Sequence, residues 1–329
     1  MAKRPLSRVQ VARARAAELK AAKARAVRAQ RISERLKLGP LRDRVVSAVT
    51  LKRYKGSVKE FFRWCRIHGY RTPSSTEDFD MLITAYAEML WCEGDPRTVL
   101  AYTLAGFSHL VPSLRHRLNG SWRVYVAWGK SEPAQQAPPL TRFMTQAIAG
   151  WFISEGLCGA GLGILLAFNC ILRTGELFEL LKKDFTLGAR SLLILLRDTK
   201  VGVRFGYLQE TFCKDKWLVC KLVKFLRSLQ NGDKLIQMLP ARFRKLWALA
   251  LKACGIDKKY KPYSLRRGGA TALFAHSGQY DKVMERGRWQ TLESMKMYIN
   301  TAMQELASVD ERDALHPVLQ DYVSKLNLA

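Results

Sequence analysis

The seven cysteines of this 329-residue sequence include no CxxC pair, and its five histidines form no cluster with metal-ligand spacing and no HExxH. A zinc site is therefore not expected. The scattered cysteines, in apolar settings such as "FRWCRI" and "AFNCIL", read as buried free thiols in a reducing compartment. A Walker A loop is also missing, which removes the usual signature of nucleotide hydrolysis. No apolar stretch follows the first positive charges, so a secretory signal is not expected. The one long uncharged run, Gly156 to Leu172, holds four glycines and an asparagine and falls short of the ~20 residues that span a bilayer. It reads as a buried core helix. Acidic side chains are scarce as well: 28 Asp and Glu stand against 55 Lys and Arg, a net charge of +27. That balance calls for a polyanionic partner, nucleic acid before an acidic membrane surface. A hydrophobic content of 48% excludes a mostly disordered chain.

What is present divides into four parts. Residues 1–44 carry 14 basic and 3 acidic side chains and form an Ala/Arg/Lys-rich arm, helical from Val9 to Leu38, with a thin apolar stripe. It reads as a solvated helix, a strip laid along phosphates, or an organellar presequence. Residues 45–129 read as a small helical domain of four or five helices. In its first helix Tyr54, Val58, Phe61, Phe62 and Cys65 form an apolar face, while Lys52, Arg53, Lys55, Lys59 and Arg63 form a basic stripe, either a solvated face or a nucleic-acid contact. Residues 130–140, "KSEPAQQAPPL", hold three prolines and read as an extended linker. Residues 141–329 read as a mostly helical domain with a β-hairpin over 191–212, then helices near 214–230, 241–254, 264–276, 280–287 and 292–306. The expected fold class is mainly α, with a small antiparallel sheet in the second domain.

Three cations in that domain need partners. Arg173 closes the uncharged run and should sit at the end of a buried helix. Lys200 falls at the hairpin tip in "DTKVG", with Lys214 and Lys216 near it in sequence. Arg266 opens a helix whose Gly268 and Gly269 allow close backbone approach. Buried cations without carboxylates of their own suggest a phosphate site.

Tyr298 extends the pattern, thirty-two residues after Arg266 and nine after Trp289. This order resembles that of the tyrosine recombinases, or phage-type integrases. There an Arg precedes a Glu by three, a Lys sits on a hairpin, an H-x-x-R element follows, and a His or Trp precedes the nucleophilic Tyr by nine. The matching residues here are Arg173 with Glu176, Lys200, Arg266 in "YSLRRGG", Trp289 in "GRW", and Tyr298. The resemblance covers about 45–310, and "LRRGGAT" and "GRW" look closest to eukaryotic retrotransposon- and crypton-type members.

The resemblance implies a helical core-binding domain followed by a DNA breaking-rejoining domain. It implies strand cleavage through a 3′-phosphotyrosyl link, for recombination or integration, with neither metal nor cofactor. Arg173 and Arg266 would hold the phosphate, Lys200 would protonate the leaving oxygen, and Trp289 would pack beside it. Tyr263 stands where the family has histidine, which leaves the Tyr298 proton to Glu176 or water. Arg267 is read as a phosphate-backbone contact. The implied partner is double-stranded DNA, with self-association as a dimer or tetramer through the C-terminal "HPVLQDYVSKLNLA" and no membrane. The implied location is intracellular, in a nucleus or a nucleoid and cytoplasm. A DNA-binding protein that has lost its chemistry and a type IB topoisomerase-like relaxase are the two alternatives. If residues 1–44 follow phosphates, their deletion weakens affinity for every duplex alike and flattens its salt dependence; an unchanged slope assigns the arm another role.

Overall fold

The computed structural model describes residues 8–41, 45–71, 73–133, 135–188, 191–197, 208–310 and 316–329. Contacts group the chain into two compact units, Met1–Ala134 and Gln135–Ala329.

In the first unit a long basic helix, α1 (Arg8–Leu38), precedes four helices: α2 (Ala48–Ile67), α3 (Thr76–Cys92), α4 (Thr98–Leu110) and α5 (Asn119–Ser131). The Ser47 hydroxyl caps α2 by accepting from the Thr50 amide, and Ser75 caps α3 through the Asp78 amide. Phe61 is fully buried, edge-on to Tyr86 and Phe107. Its neighbour Phe62, expected beside it in the core, is 45% exposed, and Trp64 takes the inner place. Adjacent helical residues point about 100° apart, so only one of the pair can face inward. Gly106 lets α4 close on α2, since a Cβ there would stand 2.9 Å from a Val58 methyl. Asp80 on α3 accepts the Gly120 and Ser121 amides at 2.7 and 2.9 Å, fixing the start of α5. Lys52, Arg53, Lys55, Lys59 and Arg63 are all exposed on α2.

The second unit is built on α6 (Arg142–Ser154) and α7 (Cys158–Asn169), packed together at Gly161. The long uncharged run is the buried helix expected of it. After α8 (Thr174–Glu179) comes an antiparallel sheet in the order β1 (Phe185–Leu187), β2 (Leu192–Leu196), β3 (Gln209–Cys213). The sequence reading had two of these strands; β1 escapes it because "FTL" is too short to show alternation. Leu192, Ile194 and Leu196 of β2 point inward, and Leu192 pairs with Cys213.

Helices α9 (Lys216–Arg227), α10 (Pro240–Ala253), α11 (Ser264–Ser277) and α12 (Tyr280–Gly287) follow. The single helix expected over 292–306 is in fact two, α13 (Leu292–Lys296) and α14 (Thr301–Asp310), with a non-helical stretch between them. The last helix, α15 (His316–Ser324), lies on α6 of its own chain, with Leu319 buried. No helix among the described residues is long and apolar enough to cross a membrane.

Gly150 on α6 marks how close that last contact is, because a Cβ there would lie 1.8 Å from the Tyr322 carbonyl oxygen. Gly150→Ala should therefore lower stability by about 1–3 kcal/mol in urea unfolding, the usual cost of overpacking. Gly56→Ala, on α2 with nothing within 4 Å of the added methyl, should be neutral or stabilising in the same measurement.

Candidate active site

The site begins at a turn. Ile171 holds φ 52°, a costly conformation for a β-branched residue, in the segment joining α7 to α8. Arg173 is consequently not the end of the buried helix, as expected, but the N-cap of the next one. Its backbone N–H donates to Glu176 Oε2 at 2.8 Å and its guanidinium to Oε1 at 2.5 Å. Lys200 lies outside the described residues, in the connection between β2 and β3.

Arg266 is completely buried. Its two terminal nitrogens donate to the carbonyls of Ile171 and Gly287, at 2.5 and 2.7 Å, while Nε has no partner. The guanidinium carbon lies 4.4 Å from the centroid of the Trp289 ring and 5.4 Å from that of Tyr298. Burial, aided by the nearby cations Arg173 and Arg288, lowers its pKa to about 10, so it remains charged at neutral pH. The glycines after it serve packing. A Cβ on Gly268 would meet the Leu140 carbonyl oxygen at 2.2 Å, and one on Gly269 the Phe168 carbonyl oxygen at 2.1 Å.

Arg288 is the residue that the sequence reading missed. It adopts φ 59° at the end of α12, and its Nη2 donates to Glu176 Oε2 at 2.6 Å. The only signal was its place beside Trp289 in "GRW". Glu176 thus joins two guanidiniums and a backbone amide. Burial alone would raise its pKa, but Arg288, the Arg173 amide and the Arg173 guanidinium outweigh that and hold it below the ordinary carboxylate range. A carboxylate held in that state is a weaker base than an ordinary one.

Tyr298 sits in the stretch between α13 and α14, not on a helix. Its ring lies 4.7 Å from that of Trp289, and its hydroxyl hydrogen-bonds the Tyr263 hydroxyl. Tyr263 is 38% exposed, and burial of the remainder together with the bond to Tyr298 raises its pKa. Trp289 is nearly buried and covers Gly287, where a Cβ would collide with its ring. Arg267 corrects another expectation. It is turned inward, only 6% exposed, and donates to the Gln136 side chain and to the Met297 carbonyl. Met297 precedes the tyrosine, so this guanidinium acts inside the fold and not at a phosphate-facing surface.

Arg173, Glu176, Arg266, Arg288, Trp289, Tyr263 and Tyr298 therefore form one connected cluster. Three guanidiniums around a single carboxylate leave it short of negative charge, which an anion would supply.

No family model matches the chain, and no curated protein matches it. Among solved structures it is similar to a lambda integrase (75–356) dimer bound to a COC′ core site, with 16% identity, 80% of this chain and 92% of that one covered, and a TM-score of 0.53. It is also similar to the Tn1549 transposon integrase (aa 82–397) in complex with circular intermediate DNA, with 13% identity, coverage of 80% and 99%, and a TM-score of 0.51. The chain shares the fold of these two integrase structures.

Glu176→Gln removes the anion from between two buried cations and should cost about 3–5 kcal/mol of stability at neutral pH. The folded carboxyl has the lower pKa, so its stabilisation is complete above the unfolded value of about 4.3 and is lost as pH falls through the folded value. Urea midpoints of the two proteins should accordingly converge as pH falls through the folded value; a gap independent of pH would show that the ion pairs are not its source.

Proposed function

We propose that the chain cleaves and rejoins DNA strands through a covalent tyrosine intermediate, for site-specific recombination or integration. What supports this most is the position of Tyr298 over the buried Arg266 guanidinium and beside Trp289, within the arginine-rich cluster. Tyr298 Oη attacks a scissile phosphorus, the new O–P bond forms, the bond to the 5′-oxygen breaks, and a 5′-hydroxyl leaves. Arg173 and Arg266 hold the non-bridging oxygens as charge builds on them. Lys200 donates the proton to the leaving oxygen. The reverse attack by a second 5′-hydroxyl reseals the strand, so the energy of the broken bond is kept.

Arg266 has no accessible surface while Tyr298 and Trp289 cover it. DNA binding must therefore part the Tyr263–Tyr298 contact before a phosphate reaches that guanidinium. With that contact parted, the Tyr298 proton passes to water, while Tyr263, its pKa raised, stays a neutral hydroxyl that can hydrogen-bond a phosphate oxygen.

The exposed basic side chains of α2 lie along the duplex backbone, and the arm before them adds non-specific affinity. The two solved relatives bind DNA, one of them as a dimer, and this chain works as a dimer or tetramer on duplex DNA. Release of α15 from α6, and its docking on a neighbour, makes that contact. The forms "LRRGGAT" and "GRW" support a kinship with retrotransposon- and crypton-type elements of eukaryotes. A DNA-binding protein without cleavage is the second reading, favoured by tyrosine in place of histidine at 263.

Incubation with a nicked suicide duplex, without magnesium or ATP, should give an SDS-stable protein–DNA band. Tyr298→Phe should abolish it with binding retained. Arg173→Ala and Arg266→Ala should each reduce it on the order of 10²-fold or more. A band that persists in Tyr298→Phe rules out the nucleophile, and no band from the unmutated protein on its cognate site favours the second reading.

A further inference from the structure

The stretch carrying Tyr298 is not regular, so something outside it must hold the tyrosine in place. Two residues one turn apart on α11 do so. Thr271 Oγ1 lies 3.3 Å from the Tyr298 carbonyl oxygen and accepts the Asn300 amide at 3.2 Å. Arg267 Nη1 donates to the Met297 carbonyl at 2.7 Å on one side and to Gln136 Oε1 on the other.

Gln136 belongs to the extended segment at the start of the second unit, through which the chain passes from the first. That segment is stitched down further along. The Leu140 amide bonds the Ser264 carbonyl at 3.4 Å, and Gln304 Nε2 contacts the carbonyls of Leu140 and Gly268 at 3.2 and 3.3 Å. Gly268 has no Cβ because the Leu140 carbonyl fills that space. The segment is therefore extended, as "QQAPPL" implies, but it is also part of the fold around the tyrosine.

We propose that Arg267 is a positioning residue for Tyr298 and that Gln136 is its second anchor, so that linker and tyrosine stretch are held as one piece. Arginine suits this role because the two N–H groups of one nitrogen diverge toward two acceptors while the planar group stays buried. A lysine ammonium has no such fixed fork. The consequence for catalysis rests on Tyr298 being the nucleophile, but the mechanical coupling does not.

Hydrogen exchange of the full-length protein without DNA tests the coupling directly. Gln136 is exposed, so Gln136→Ala should leave the fold intact. It should speed amide exchange across 297–300 several-fold, and Gln136→Glu, which keeps an acceptor for Arg267, should restore protection. Arg267→Lys should match Gln136→Ala or exceed it. In the suicide-duplex assay Gln136→Ala should slow adduct formation on the order of tenfold at unchanged DNA affinity, with Gln136→Glu near the parent rate. Equal protection at 297–300 in Gln136→Ala and the parent overturns the proposal. An exchange effect in a parent protein that forms no adduct upholds the coupling and removes the proposed chemistry instead.

Discussion

The second unit depends on one buried guanidinium. Arg266 has no contact with solvent, and a charge in that position is tolerable only if donors, rings and neighbouring dipoles replace water. Its bonds to the Ile171 and Gly287 carbonyls fix two irregular segments at once. Ile171 must adopt a left-handed backbone to present its carbonyl, and that turn starts α8 where Arg173 can cap it. Gly287 must lack a side chain so that Trp289 can fold back and cover the cation. The Tyr298 ring closes the remaining side. The local conformational costs in this region are tied to one charge.

Glu176 balances that cluster without neutralising it. One carboxylate bonded to Arg173 and Arg288 offsets part of the repulsion among three cations and leaves an excess of positive charge. The arrangement is compact and electrostatically incomplete, as expected of a site that takes an anion. Arg173 keeps partial exposure, whereas the Arg266 and Arg288 side chains are buried, so an anion approaching from solvent would meet Arg173 first.

Several local errors in reading the sequence share a physical origin. Phe61 and Phe62 are equally hydrophobic, and only the packing of α3 and α4 decides which is buried. A helical pattern over 292–306 conceals the break at Met297–Asn300, because that break is held open from outside, by Arg267 and Thr271 on α11. Arg267 itself looks like surface charge in "LRRGG", and Arg288 looks incidental in "GRW". Both are buried by contacts far away in sequence, with Gln136 and Glu176. Strand β1 is invisible locally because three residues carry no period.

The amino-acid sequence alone determined the excess of basic charge in the first 44 residues, the proline-rich stretch and the apolar periods of the helices, since charge, proline content and apolar period are local properties. It also determined which residue types recur at which spacing: Arg173 with Glu176, Arg266, Trp289 and Tyr298. Their meeting was a matter for the tertiary structure, which also exchanged surface roles for buried ones. It turned Arg267 inward, added Arg288 to Glu176, and set Tyr298 against Tyr263. Those outcomes depend on which donors find acceptors once water is excluded, and that is decided by residues brought together across the fold, not by neighbours in sequence.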